Sequence, residues 1–227
     1  MDSPVSKPNG STAGEVRIDA PLPARLARRI AAGLPGAASY ARFTPELAYG
    51  RHAGPPGPGF RRAATLALCF ARRHEWQVVL TLRPGHLPSH AGQVCFPGGE
   101  LEPGETPEQA ALRELSEELG IDTRRVTLLG RLSPIYIFAS HFLVTPLVGW
   151  IDSPPDFHCD GNEVAKVLEL PLARLALLDQ PGLHTIDRRG LSFVAPHIEC
   201  QGHRVWGATC MMLAELAALW RDVTGPN

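Results

Sequence analysis

Residues 98–121 read GGELEPGETPEQAALRELSEELGI. From Glu100 to Glu118 the stretch carries seven glutamates and one basic residue, Arg113. Like charges at helical spacing repel, so this concentration needs a reason in a chain with 22 Lys+Arg against 23 Asp+Glu. The spacing predicts a helix over 106–119, with Pro107 in its first turn and Gly120 just past its end. Ala111, Leu112, Leu115 and Leu119 then form an apolar stripe that packs against a sheet. Glu114, Glu117 and Glu118 lie at i, i+3 and i+4 and share a different face. Glu105 falls at the helix start, where the helix dipole favours a carboxylate.

Two readings of the acidic face compete. A solvated surface is the ordinary fate of a charge run, and it accounts for Glu102 and Glu108; Glu100 has no assigned chemistry. Three carboxylates on one rigid turn are a different matter, because they cannot all stay ionised cheaply without a counter-charge. A hard divalent cation with oxygen ligands supplies one, and Mg²⁺ is the usual choice where phosphates complete its shell.

Elsewhere the composition is ordinary for a soluble globular protein: 227 residues, 44% hydrophobic and 20% charged, a length for one domain with additions. A net charge of −1 gives no reason to expect nucleic acid or an anionic membrane as partner. No apolar run reaches transmembrane length. The opening MDSPVSKPNGSTAGEV lacks the apolar core of a secretory signal, and no Arg precedes Arg17 as a mitochondrial presequence would require. The final TGPN is neither a peroxisomal nor an ER-retention address. Five cysteines, odd in number and without CxxC spacing, point to free thiols in a reducing cytoplasm.

Residues 1–20, polar and rich in Pro, Gly and Ser, are expected to form a disordered tail. Residues 21–60 read as an N-terminal helix (23–34, with Leu26, Ile30 and Leu34 on one side) and a Pro/Gly-rich linker or wrapping arm ending in AGPPGPGF. One domain is expected over 61–223. Strands at 63–71 and 76–83 are joined by a turn at 72–75, and a short strand follows at 93–96. Beyond the acidic helix come strands at 125–134 and 141–151, separated by YIFAS, and a polar loop at 152–163. Residues 164–178 open as a strand and turn helical after Pro171. Strands on either side of Gln201-Gly202 and an amphipathic helix at 209–223 close the chain. Trp206 and Trp220, flanking that helix, read as core packing, and Cys95 as a small core residue. This order predicts an α+β fold or an α/β/α sandwich.

The punctuation of the opening stretch resembles the Nudix box, G-x5-E-x7-R-E-U-x-E-E-x-G-U, where U is a bulky aliphatic residue. Gly99, Glu105, Arg113, Glu114, Leu115, Glu117, Glu118, Gly120 and Ile121 fill every defined position. VLTLRPGHLPSHAGQVCFPGG (79–99) is similar to the added signature of the coenzyme A pyrophosphatase subfamily, L-L-T-x-R-[SA]-x3-R-x3-G-x3-F-P-G-G. Thr81, Arg83, Gly92, Phe96, Pro97, Gly98 and Gly99 match it, and Val79, Pro84 and Pro88 depart from it. The likeness runs over roughly residues 60–220, and the first sixty residues receive no catalytic role.

The resemblance implies a Nudix fold, an α/β/α sandwich with a mixed central sheet, and hydrolysis of a diphosphate with Mg²⁺ or Mn²⁺. The substrate it implies is coenzyme A or acyl-CoA, cut to 3′,5′-ADP and (acyl-)4′-phosphopantetheine. Other nucleoside diphosphate derivatives, such as ADP-ribose or a dinucleotide, form the alternative. A non-catalytic Nudix-fold regulatory module ranks below both, because no box glutamate is missing. Glu114 and Glu118 are the expected metal ligands, with Glu117 as a further ligand or the holder of a water in the shell and the Gly98 carbonyl completing it. Glu105, Arg113 and Glu117 in the box and Glu163 outside it are the candidate catalytic residues. Arg113 is expected to pair with Glu105; Glu163 is the candidate general base, with Asp160 next. Arg83, His90 and Gly99 are the candidate substrate-binding residues, Arg83 as a bidentate phosphate clamp. The oligomeric state stays open, a homodimer being one option.

Overall fold

The computed structural model describes residues 22–48, 51–87, 90–177, 180–188 and 190–225. The expected tail, 1–20, lies outside them. Two long strands, β1 (Arg61–Arg72) and β2 (Glu75–Leu82), form an antiparallel hairpin. Its two-residue turn, Arg73-His74, has both φ angles positive, at 50° and 67°, the handedness that suits tight hairpins. β3 (Val94–Cys95) extends the sheet beside β2, and β4 (Gly98–Glu100) pairs with β1 at its start. β5 (Thr127–Arg131) and β6 (Ile135–Ile137) run antiparallel to β7 (Phe142–Trp150). β7 itself lies parallel to β1, from Arg61 opposite Phe142 to Cys69 opposite Trp150. β8 (Lys166–Pro171) joins β2, so the sheet is mixed. A second sheet holds β9 (Gly182–Arg188), β10 (Leu191–Cys200) and β11 (His203–Trp206) in antiparallel order.

The alternation of side chains along β1 divides the core into two layers. Ala64, Leu66, Leu68 and Phe70 meet Ala110, Ala111, Leu115 and Leu119 of α3 (Pro107–Leu119) on one face. Ala63, Ala67 and Cys69 face the other way, toward α1 (Leu22–Ala31), α4 (Leu172–Ala176) and α5 (Gly207–Thr224). Helices on both sides of a mixed sheet make the α/β/α sandwich that the sequence predicts. Trp220 is buried and meets Trp76 at 5.4 Å between ring centres.

Three features depart from the sequence reading. YIFAS does not merely separate two strands, since Ile135–Ile137 is itself a strand on β7. Residues 182–188, unassigned in the sequence, pair with β10 as β9. The arm is also more than a linker. It contains α2 (Ala37–Tyr40) and helical turns at Ala41–Phe43, Glu46–Ala48 and Arg51–Ala53, and it buries Tyr40, Phe43, Ala48 and His52.

Glu215, near the middle of α5, is fully buried and ties the arm to the sandwich. Its carboxylate accepts from Gly36 N at 3.0 Å, Ser133 N at 2.9 Å and Ser133 Oγ at 2.6 Å. Orphaning these buried donors costs on the order of 1–3 kcal/mol apiece where water cannot reach them. Glu215→Ala is therefore expected to lower unfolding free energy by about 3 kcal/mol in urea titration. An unchanged midpoint would contradict this role.

Candidate active site

The acidic helix is fixed at both ends. Thr106 Oγ1 accepts from Gln109 N at 3.3 Å while Gln109 Oε1 accepts from Thr106 N at 2.9 Å, a reciprocal capping box. Pro107 occupies the first turn, and Gly120 closes the helix in the left-handed conformation with its N–H on Ser116 O. This holds Glu114 and Glu118 in place relative to β4.

Gly98 and Gly99 make close approach possible. A Cβ on Gly98 would stand 2.3 Å from Ala64 O, and one on Gly99 would stand 2.2 Å from Glu114 Oε1. The paired glycines thus let β4 lie against β1 on one side and let a helix carboxylate rest on its backbone on the other.

Arg113 organises the carboxylates. Its Nε and Nη2 donate to the two oxygens of Glu105 at 2.8 and 3.1 Å. Nη1 donates to Glu114 Oε1 at 2.9 Å and Glu117 Oε2 at 3.0 Å, and Nη2 also reaches Glu100 O at 3.1 Å. A guanidinium has five N–H donors, so these bonds saturate it within the protein. They hold its pKa above the usual range, the Glu105 bond first, and the same bond holds the Glu105 carboxyl below its usual value. Glu105 Oε2 also accepts from Glu102 N at 2.8 Å.

Glu118 is 2% exposed. Burial pushes its carboxyl up to about 8; the Glu114 and Glu163 charges add to this, while Arg83 and the Gly98 backbone amide oppose it. Glu114 is raised as well, chiefly by burial and against the pull of Arg113. Carboxylate oxygens of Glu114, Glu118 and Glu163 all lie within 4.8 Å of one another, and Glu118 Oε2 is buried without a hydrogen-bond partner among the described residues. An orphaned buried oxygen within a group of hard donors fits Mg²⁺ or Mn²⁺.

Glu163 reaches this group through the polar loop 152–163. His158 N and Asp160 N donate to Leu119 O and Glu118 O at 2.9 and 3.1 Å, fastening the loop to the end of α3. Asp160, the second candidate base, uses its carboxylate to accept from Asn162 N and Nδ2. Glu117 lies outside the three-carboxylate group; its side chain is 58% exposed and bonds Arg113. Arg83 follows β2, and its Nε is buried without a hydrogen-bond partner among the described residues. His90 Nδ1 lies 2.7 Å from Gln93 Oε1.

Arg83, His90, Gly98 and Gly99 line a cavity of about 710 Å³. Its remaining walls were not evident in the sequence. Leu47, Arg51 and His52 come from the arm, Phe138 follows β6, and Phe193 and Trp206 come from the second sheet. Trp206, read as core, is half-buried and faces this space. No local period marks such residues, since the cavity joins segments far apart in the chain.

Gly99→Ala is expected to displace Glu114 and to lower kcat/KM by about 100-fold, the scale of an ångström-sized misplacement, with the circular dichroism spectrum unchanged. Full activity would refute the contact. Arg113→Lys keeps the charge but cannot form the fork between Glu105 and the helix carboxylates; kcat/KM is expected to fall roughly tenfold or more in steady-state assays.

A family model for the NUDIX domain matches residues 60–188. A protein of Photorhabdus laumondii named "Uncharacterized Nudix hydrolase NudL" is 38% identical over 157 residues, covering 69% of this chain and 83% of its own. Nudix hydrolase 3 of Caenorhabditis elegans is 32% identical over 160 residues, covering 63% of this chain and 66% of its own. Among solved structures, the Nudix hydrolase RenU from M. smegmatis superposes with a TM-score of 0.50 at 17% identity, over 75% of this chain and 99% of that one.

Proposed function

From the premise that this chain belongs to the Nudix hydrolase family, which acts on pyrophosphate bonds, we propose that its substrate is coenzyme A or an acyl-CoA. The products are 3′,5′-ADP and (acyl-)4′-phosphopantetheine. The observation that carries the reading is where the subsidiary signature falls: Arg83, Phe96, Gly98 and Gly99 all line the cavity. Fold alone would not choose a substrate. The five cysteines are free thiols, which supports a cytoplasmic protein.

Glu114 and Glu118, with Gly98 beside them, would hold Mg²⁺ or Mn²⁺. When bound, the ion supplies neutralisation of charge on the diphosphate. Arg83, which lines the cavity, binds a phosphate oxygen. Glu163, the exposed member of the carboxylate group, accepts the proton of the attacking water. The water oxygen bonds to one phosphorus as the bridging P–O bond breaks, and the bridging oxygen leaves with the second phosphate. Arg113 touches no substrate in this scheme; through Glu105 and Glu114 it keeps the carboxylates in register.

Incubation of the purified protein with CoA, ADP-ribose and NADH in Mg²⁺ or Mn²⁺ is expected to yield 4′-phosphopantetheine and 3′,5′-ADP from CoA. Turnover confined to another substrate would overturn the CoA reading, and binding without any turnover would indicate a regulatory module. Glu118→Gln is nearly isosteric and neutral, so it should fold as the parent does while losing metal-dependent turnover. Parental activity in that variant would remove Glu118 from the metal site.

A further inference from the structure

We propose that Trp206, which lies beyond the matched residues 60–188, is the platform on which the adenine base of the substrate stacks. This assignment deepens the reading of the substrate as a nucleoside diphosphate derivative and rests on it.

Trp206 ends β11 at the entry to α5 and is half-buried. It lines the same cavity as Arg83, Gly98 and Gly99. β3 pairs with β2 at Thr81 and Leu82, the residues just before Arg83, at one strand spacing of about 4.8 Å. β11 packs against β3 in turn. A nucleotide with its diphosphate at Arg83 reaches across β3 to the β11 side of the cavity with its ribose and base.

The ring is braced in place and its flank is kept clear. Gly207 turns the chain from β11 into α5 at a φ of 66°, and a Cβ there would meet nothing within 4 Å. Gly207 and Ala208 both line the cavity, so the two residues after Trp206 put no bulky side chain beside it. His184 meets Trp206 edge to face, with ring centres 6.2 Å apart and planes at 76°. His184 Nδ1 lies 3.1 Å from His197 Nδ1, and His197 Nε2 lies 3.1 Å from Glu199 Oε1. The ring that braces Trp206 is thus held by its own hydrogen bonds, and a ring fixed beforehand loses little freedom when a base stacks on it.

The other cavity rings suit this role less well. Phe138 and Phe142 already carry a guanidinium over one face, Arg51 at 4.2 Å and Arg61 at 3.9 Å. Trp206 pairs with His197 on β10, and Phe193 stands four residues from His197 on that strand. At about 3.3 Å per residue that is roughly 13 Å, too far for Phe193 to clasp the same base. Of the two halves of CoA, only the adenosine half carries a planar ring system; the pantetheine half is a flexible chain of amides. A flat indole therefore gains most from the base, whose face stacks on an aromatic side chain whatever its hydrogen-bonding edge.

Tryptophan fluorescence tests this directly. The other three tryptophans lie together, Trp76 being 4.1 Å from Trp150 and 5.4 Å from Trp220 between ring centres, and none of them lines the cavity. In the parent protein with Mg²⁺, 5′-AMP and 3′,5′-ADP should quench the fluorescence and 4′-phosphopantetheine should not. Trp206→Phe keeps a stacking ring, so calorimetric affinity for 3′,5′-ADP should stay close to the parent's while the quenching disappears. Trp206→Leu should weaken 3′,5′-ADP roughly tenfold and leave Mn²⁺ affinity and the circular dichroism spectrum unchanged. Quenching by 4′-phosphopantetheine would put the other half of the substrate on this ring and overturn the proposal. So would quenching that persists in Trp206→Phe, parental nucleotide affinity in Trp206→Leu, or a matching loss of Mn²⁺ binding there, which marks a structural role. CoA, ADP-ribose and NADH share the adenosine half, so turnover of ADP-ribose alone would end the CoA reading and leave the stacking intact. Binding of neither nucleotide by the parent would overturn the stacking whichever substrate is turned over.

Discussion

Three carboxylates with oxygens inside 4.8 Å of one another are the constraint around which the rest of the structure is arranged. In isolation their repulsion and the burial of Glu118 would favour protonation or separation. The fold prevents the separation, and burial already raises the affinity of Glu118 and Glu114 for a proton. The capped ends of α3 fix two of them, the loop bonded to the end of that helix fixes the third, and Arg113 supplies the positive charge from within. Arg113 nevertheless cannot complete the site, because all its donors are used and Glu118 Oε2 stays without a partner among the described residues. A divalent cation fits what remains.

The sandwich serves this arrangement mechanically. β1 contributes Ala64, Leu66, Leu68 and Phe70 to the layer beneath α3 and sends its alternate residues to the opposite layer. Its first residues pair with β4, so the same strand that forms the core sets the height of Gly98 and Gly99 against Glu114. On the far side Glu215 fastens the loop after α1 to the loop after β5. That brings the arm toward the cavity mouth, although it lies outside the domain that carries the glutamates.

Much of the site was legible because its signals are local. Pro107 and Gly120 mark the ends of a helix, its leucines give one face, and its glutamates another. The pairing of Arg113 with Glu105 follows from the same stretch once it is wound into a helix. What could not be read depends on distant segments meeting. The sequence reading puts Glu117 at the metal and Glu163 outside the box as a base, yet Glu163 lies in the carboxylate group and Glu117 faces solvent beside Arg113. The difference is made by hydrogen bonds from the 152–163 loop, which carry no periodic mark. β6 and β9 escape a sequence reading for a related reason: each is short or partly polar, and each is a strand because β7 or β10 offers a partner edge. The arm's cavity residues, Leu47, Arg51 and His52, were hidden in a Pro/Gly-rich stretch whose composition resembles a linker.

The most direct test of the account is Mn²⁺ binding to the full-length protein without substrate, followed by electron paramagnetic resonance. The parent protein should bind Mn²⁺, and the Glu114→Gln, Glu118→Gln double variant should bind at least about a hundredfold more weakly, because changing residues that merely hydrogen-bond to metal ligands already costs about ten- to a hundredfold. Equal affinity in a folded double variant would contradict the claim that these carboxylates are grouped to hold a cation.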